Sequence, residues 1–82
     1  MEMTVKDAVA RRFEEICREK KIRYNELAVR SGVTPSTVYS MLDPKRREIS
    51  ITTIKKLCDG LEITIEEFFN SELFRNLEQE IK

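Results

Sequence analysis

Residues 24–42 read YNELAVRSGVTPSTVYSML, and the fold is decided there. Leu27 and Ala28 share one face of a short helix that stops at Ser31-Gly32. Gly32 is suited to the left-handed conformation that ends a helix within one residue. Ala28 is small where two helix backbones must approach closely, and Val33 supplies an apolar plug beneath the turn. Thr34 is a good N-cap and Pro35 takes the first helical position, where its missing N–H costs nothing. Val38 and Met41, three apart, then face back toward Leu27 and Ala28.

Two short helices set at such a turn form a helix-turn-helix, in which the second helix enters the DNA major groove. The rest of the chain is consistent with a small helical protein. Its 82 residues suffice for one domain with a single modest core. A chain that is 40% apolar and 37% charged, with two Gly and two Pro, does not suit a turn-rich all-β fold. No run approaches the roughly 18 apolar residues of a membrane span, and MEMTVKDAVARR lacks a signal-peptide core. The expectation is a cytoplasmic protein with no membrane partner. Cys17 and Cys58 both fall in helical patterns, and with no His the soft ligands are too few for zinc. They read as reduced core thiols, and neither a metal nor a cofactor is expected.

The net charge is zero, but it divides unevenly. Residues 1–48 hold 11 Lys/Arg against 8 Asp/Glu, whereas residues 49–82 hold 4 against 7. The basic excess thus accompanies the helix-turn-helix, where it can attract phosphates.

Helix 1 is expected from about Val5 to Lys20, with Thr4 and Asp7 in a capping arrangement. Val5, Val9, Phe13 and Ile16 form its apolar stripe, edged by Cys17, with Arg11, Arg12, Glu14, Glu15 and Arg18 on the solvated side. Helix 2 covers about Tyr24 to Ser31 and the recognition helix about Pro35 to Leu42, closed by Asp43-Pro44. Lys45-Arg46-Arg47 is a basic loop, either a solvated turn or, so placed, a phosphate contact. Helix 4 begins at a Ser50 N-cap and carries Ile51, Ile54, Leu57, Cys58 and Leu61 at helical spacing. Thr64 and Glu67 spell a capping box that opens helix 5, bringing Ile65, Phe68 and Phe69 to the core. Leu73, Phe74, Leu77 and Ile81 continue at helical spacing in the tail. They either fold back onto the core or form a dimer interface.

With these motifs in place, about residues 5–70 resemble the Cro and lambda-repressor type of helix-turn-helix protein, the XRE family. The matching segments are NELAVRSGVTPSTVYSML, the short basic loop, and ISITTIKKLCDGLEITIEEFF. The resemblance implies an all-α, five-helix lambda-repressor-like domain over residues 1–70, followed by a helical tail over 71–82. It further implies a homodimer that binds operator DNA and regulates transcription, most simply as a repressor. Base edges would be met by Pro35, Ser36 and Ser40, with Thr37 nearby, and by Tyr39 if it does not reach a phosphate or stay a plain surface residue. Small hydroxyls beside a proline discriminate weakly, so thymine methyls or DNA shape would contribute. Phosphate contacts would come from Arg23, Tyr24, Lys45, Arg46 and Arg47.

The chain also departs from the family pattern. Arg23 stands at the helix 2 N-cap and cannot accept a bond there, unless Asn25 compensates. Glu62 replaces the usual glycine after helix 4, so either Glu62 is left-handed or the turn is rebuilt around Gly60. Many members pair an Arg late in helix 1 with a Glu ending helix 3; Cys17 and Leu42 stand there and are expected to touch. The competing reading is a protein-interaction module or antitoxin-like partner that keeps the fold with weak or no DNA binding. An enzyme is not expected, since the acids are scattered over helix surfaces and no His is present.

Overall fold

The structure, a computed structural model, describes residues 3–81. Five α-helices follow in order: α1 Val5–Lys20, α2 Tyr24–Ser31, α3 Pro35–Leu42, α4 Ile51–Gly60 and α5 Ile65–Phe69. The first three have the bounds expected from the sequence. The outermost positions of both expected segments, 1–2 and 82, lie outside the described residues.

Local chemistry explains most helix ends. The Thr4 hydroxyl accepts the Asp7 N–H at 3.2 Å, and Ser50 accepts the Thr53 N–H at 3.0 Å. Thr64 and Glu67 complete a reciprocal capping box, both bonds at 3.0 Å. The hydrogen bonds from Thr64 backbone and side chain hold the Glu67 carboxyl below its ordinary pKa. Arg23 gives α2 no side-chain cap, and no Asn25 side-chain bond replaces it among the described residues. At the end of α4 it is Glu62 that turns left-handed, with φ 59°, while Gly60 stays helical. Gly60 is needed for a different reason. A Cβ there would lie 2.1 Å from Ser31 Oγ and 3.0 Å from Ser31 N, so its absence lets α4 press against the end of α2.

The core unites Val9, Phe13, Ile16 and Cys17 of α1 with Leu27, Ala28, Val38 and Met41 of the helix-turn-helix. Ile54, Leu57, Cys58, Leu61 and Phe68 close it from the other side. Phe13 and Phe68 rings pack with centroids 4.3 Å apart and planes tilted by 37°. Cys17 and Cys58 are buried free thiols. Leu42 packs half-buried against the cluster that contains Cys17.

Three expectations need correcting. Ile51 does not join the α4 stripe; it is 59% exposed, because the first helical residue lies over the rim of the core. Val5, at the same position of α1, is likewise exposed. Arg12 is not simply solvated: its Nε donates to Phe68 O at 2.7 Å and its Nη2 to Glu67 O at 3.0 Å. The guanidinium thereby satisfies the open carbonyls that end α5.

The expected helical tail over 71–82 is corrected as well: it forms a single 3-10 turn, Glu72–Phe74, and the described residues beyond it, through Ile81, are not helical. Phe74 packs on Phe69 and Phe68, with centroid distances of 4.9 and 5.9 Å. Leu77 then forms a parallel bridge with Met3, and the Glu78 N–H donates to Met3 O at 2.9 Å. Phe74 and Leu77 therefore fold back, as one of the two expectations for the tail has it.

Candidate nucleic-acid interface

The interface is built on the turn between α2 and α3. Gly32 takes φ 69°, and the Val33 N–H returns to Ala28 O at 3.1 Å, so α2 ends within one residue. Thr34 Oγ1 accepts the Thr37 N–H at 3.3 Å and starts α3. Leu27, Ala28, Val38 and Met41 bury the facing sides of the two helices. What α3 turns outward is then fixed by its periodicity. Pro35, Ser36 and Tyr39 are exposed, and Thr37 and Ser40 are half-covered.

Two of these hydroxyls are already engaged. Ser36 Oγ lies 2.9 Å and Thr37 Oγ1 3.0 Å from Thr34 Oγ1, a three-hydroxyl cluster at the start of α3. A base contact by either must redirect a hydroxyl that now supports the cap. Ser40 and Tyr39 make no such bond among the described side chains.

Basic groups flank α3 on both sides. On one side, Ser36, Thr37 and Ser40 share a groove of about 290 Å³ with Arg46, Glu48, Ser50 and Thr53. On the other, Tyr39 lines a cleft of about 620 Å³ with Arg18, Lys21, Arg23, Tyr24 and Asn25. Tyr24 and Tyr39 meet edge to face, with centroids 6.1 Å apart. Burial, then the nearby Glu14 carboxylate, pushes the Tyr24 phenol above its ordinary pKa.

The basic loop is a built turn. Arg46 N–H donates to Asp43 O at 3.1 Å and Lys45 N–H to Asp43 Oδ1 at 2.9 Å, with Pro44 at the second corner. The same carbonyl accepts the Lys6 ammonium at 2.9 Å. Lys6 is 2% exposed, and burial pulls its pKa below the usual lysine value, while Asp7 and Asp43 oppose that shift.

The candidate residues therefore do not form one set. Arg46 joins the groove beside α3, and Arg23 and Tyr24 join the opposite cleft. Lys45 is exposed on the turn between. Arg47 lines neither the groove nor the cleft but a small pocket with Thr4 and with Glu78, Gln79 and Glu80 of the tail. Arg18, Lys21 and Thr53 escaped the sequence reading, because nothing in their local pattern shows which flank of α3 they adjoin. No group of three side chains able to hold a metal ion occurs among the described residues. No described helix is long and apolar enough to cross a membrane.

Comparison with known proteins agrees with this geometry. The family model for the Cro/C1-type HTH DNA-binding domain matches residues 12–72. No curated protein matches the chain. Among solved structures, the prophage Lp1 protein 11 is similar at TM-score 0.80 and 27% identity, over 92% of this chain and 99% of that one. A mutant of the restriction-modification controller protein C.Esp1396I is similar at TM-score 0.73 and 23% identity, over 84% and 86%. The same controller in a nucleoprotein complex aligns at TM-score 0.73 and 22% identity, over 83% and 87%. The turn chemistry of residues 31–35, the exposed polar face of α3 and the family match lead to one conclusion: the chain belongs to the Cro/C1-type, or XRE, family of helix-turn-helix DNA-binding regulators.

Proposed function

We propose that the protein is a sequence-specific transcriptional repressor that binds operator DNA as a homodimer, with α3 in the major groove. The observation that carries this reading is the placement of α3. Its buried side is fully used by the core, its outward side is polar, and basic groups lie on both flanks. An α-helix so flanked fits a major groove about 12 Å wide, with Arg46 toward one phosphate strand and Arg23 and Tyr24 toward the other. Pro35, Ser36, Thr37, Tyr39 and Ser40 then face base edges. The solved nucleoprotein complex of the controller protein C.Esp1396I supports the reading by likeness of fold.

Dimer formation follows from how little one α3 can discriminate. Five small or aromatic contacts without an Arg, Asn or Gln give no bidentate base pair. Two half-sites about one helical turn apart, roughly 34 Å, double the readout. An apolar groove lined by Val5, Ile51 and Phe69, together with Arg47 and Glu80, offers a second copy something to bury.

Selection of bound sequences from a random duplex pool, followed by gel shifts over a salt series, tests the proposal. Enrichment of an inverted repeat and binding that weakens steeply with salt are expected. Absence of binding to any duplex at low salt overturns it, and a DNA-free complex with another protein would then favour an interaction module. Light scattering on the full chain and on one ending at Asn70 reads the oligomer. A monomer at all concentrations removes the dimer.

A further inference from the structure

Arg47 belongs to a basic triplet, yet the fold does not give it the environment of its neighbour. Arg46 opens onto the groove beside α3. Arg47 instead lines a pocket of about 140 Å³ with Thr4, Glu78, Gln79 and Glu80. Arg47 and Glu80 meet again in the adjoining apolar groove beside Val5 and Ile51. The acidic end of the chain is held there by backbone, through the Met3–Leu77 bridge and the 2.9 Å bond from Glu78 N–H to Met3 O. No ion pair within 4.0 Å joins these groups among the described residues, so their charges interact across solvent at the surface.

We infer that Glu78 and Glu80 of the tail compete with phosphate at Arg47: their carboxylates lower the positive potential at this cation in the free protein, and DNA engages it more tightly once they turn aside or lose their charge. This rests on the DNA-binding reading above. A phosphate approaching Arg47 meets two carboxylates on the same surface, which lowers the local positive potential within a Debye length of about 8–10 Å. Residues 78–81 are irregular and exposed, so the two carboxylates can turn aside while the Glu78 N–H stays on Met3 O. Phe74 stays packed on Phe68 and Phe69. The device weakens sequence-independent binding, where phosphates supply essentially all of the affinity, more than it weakens specific binding. It thereby favours operator over bulk DNA.

The test uses the full chain and a 30-base-pair duplex of random sequence as the probe. Wild type, Glu78→Gln/Glu80→Gln, Arg47→Ala and the triple variant are compared by fluorescence anisotropy from 25 to 300 mM salt, with thermal melts to confirm folding. Neutralising the two glutamates is expected to tighten binding about three- to tenfold at low salt and to steepen the salt slope by about one. In the Arg47→Ala background the same change should have little effect. Equal tightening in both backgrounds would mean a general charge effect and overturn the proposal, as would unchanged affinity in the glutamine variant. Wild type binding normally in either of those cases leaves the DNA-binding reading standing. If no form binds the duplex, both readings fall.

Discussion

The ammonium of Lys6 donates to the main-chain carbonyl of Asp43 at 2.9 Å, joining the first turn of α1 to the residue that ends α3. Asp43 O also accepts the Arg46 N–H, so one oxygen ties helix 1, the recognition helix and the basic loop together. The cation lies where the α3 dipole favours positive charge, yet burial still lowers its pKa. Lys6→Ala, which loses both the bond and the buried stem, should cost about 1–3 kcal/mol. Lys6→Met keeps the stem and should cost less. Because the folded pKa lies below the usual 10.5, the folded chain binds fewer protons than the unfolded one as pH rises toward that value. The contribution of Lys6 to stability therefore increases with pH across this alkaline window and is flat near neutrality. Urea unfolding of wild type and Lys6→Met from pH 7 to 11 measures it; a pH-independent difference between them would refute this account.

Gly60 and Ser31 make a second prediction. Ser31 Oγ is buried without a hydrogen-bonding partner among the described residues, and it faces the missing Cβ of Gly60. Gly60→Ala should destabilise by about 1–3 kcal/mol, since Ser31 N and Cα at 3.0 and 3.1 Å cannot rotate away as the hydroxyl can. Ser31→Ala, by contrast, removes an unsatisfied polar atom and should be neutral or stabilising. Thermal melts of the two variants suffice to check this. A tolerated Gly60→Ala would show that α2 and α4 are not held this close.

Cys58 sets an alkaline limit. Burial pushes its thiol from 9.0 up to about 11, the neighbouring Asp59 adding to the shift. A folded pKa raised above the unfolded one gives stability that is complete below pH 9 and lost as pH rises through about 11. Two pKa units correspond to roughly 3 kcal/mol at most. Cys58→Ala should be less stable at pH 7 because of its cavity, but should decline less between pH 9 and 11. Parallel slopes for the two proteins in that window would be the contrary result.

How much of this was legible in the sequence depends on the range of the interaction. Gly32, Thr34 and Pro35 act within their own turn, so the helix-turn-helix could be read directly. The Thr64–Glu67 box is equally local. Glu62 and Gly60 left two options, because only the distant Ser31 reveals why Gly60 must be glycine. Lys6 had a signal that went unused: Lys6, Ala10, Phe13 and Cys17 fall at i, i+4, i+7 and i+11, so its side chain had to lie on the buried face. Arg12 and Arg47 had none, since their partners lie more than 30 positions away. In the tail, helical spacing of Leu73, Phe74 and Leu77 did not produce a continued helix. Ser71 is extended, with its hydroxyl accepting the Leu73 N–H, which restarts the chain as a short turn and lets Phe74 reach Phe69.

Cys17 and Leu42 stand where many relatives hold an Arg–Glu pair, and both pack in one apolar cluster. Cys17→Arg alone, or Leu42→Glu alone, should destabilise by on the order of 2–4 kcal/mol, because each places an unpaired charge against the core. The double variant should recover much of that loss if the side chains are neighbours. Denaturant unfolding of all four proteins yields the coupling energy. Strict additivity would mean that the two residues do not meet.

Arg46 and Tyr39 separate the two halves of recognition. Arg46 lies in the groove beside α3, on a turn fixed by Asp43, and under the proposed function it contacts a phosphate. Tyr39 projects from α3 itself, 52% exposed and braced edge-on by Tyr24. Arg46→Ala should weaken binding to all duplexes by a similar factor and reduce the salt slope by about one, or by about two for a dimer. Tyr39→Ala should leave the salt slope unchanged and lose affinity selectively for the selected operator, by about 1–3 kcal/mol per half-site if the ring meets a base edge. Titrations of selected and random duplexes over a salt series distinguish the two behaviours. If Tyr39→Ala instead lowers the salt slope, its hydroxyl serves the backbone, and base reading falls to Pro35, Ser40 and the hydroxyls gathered around Thr34.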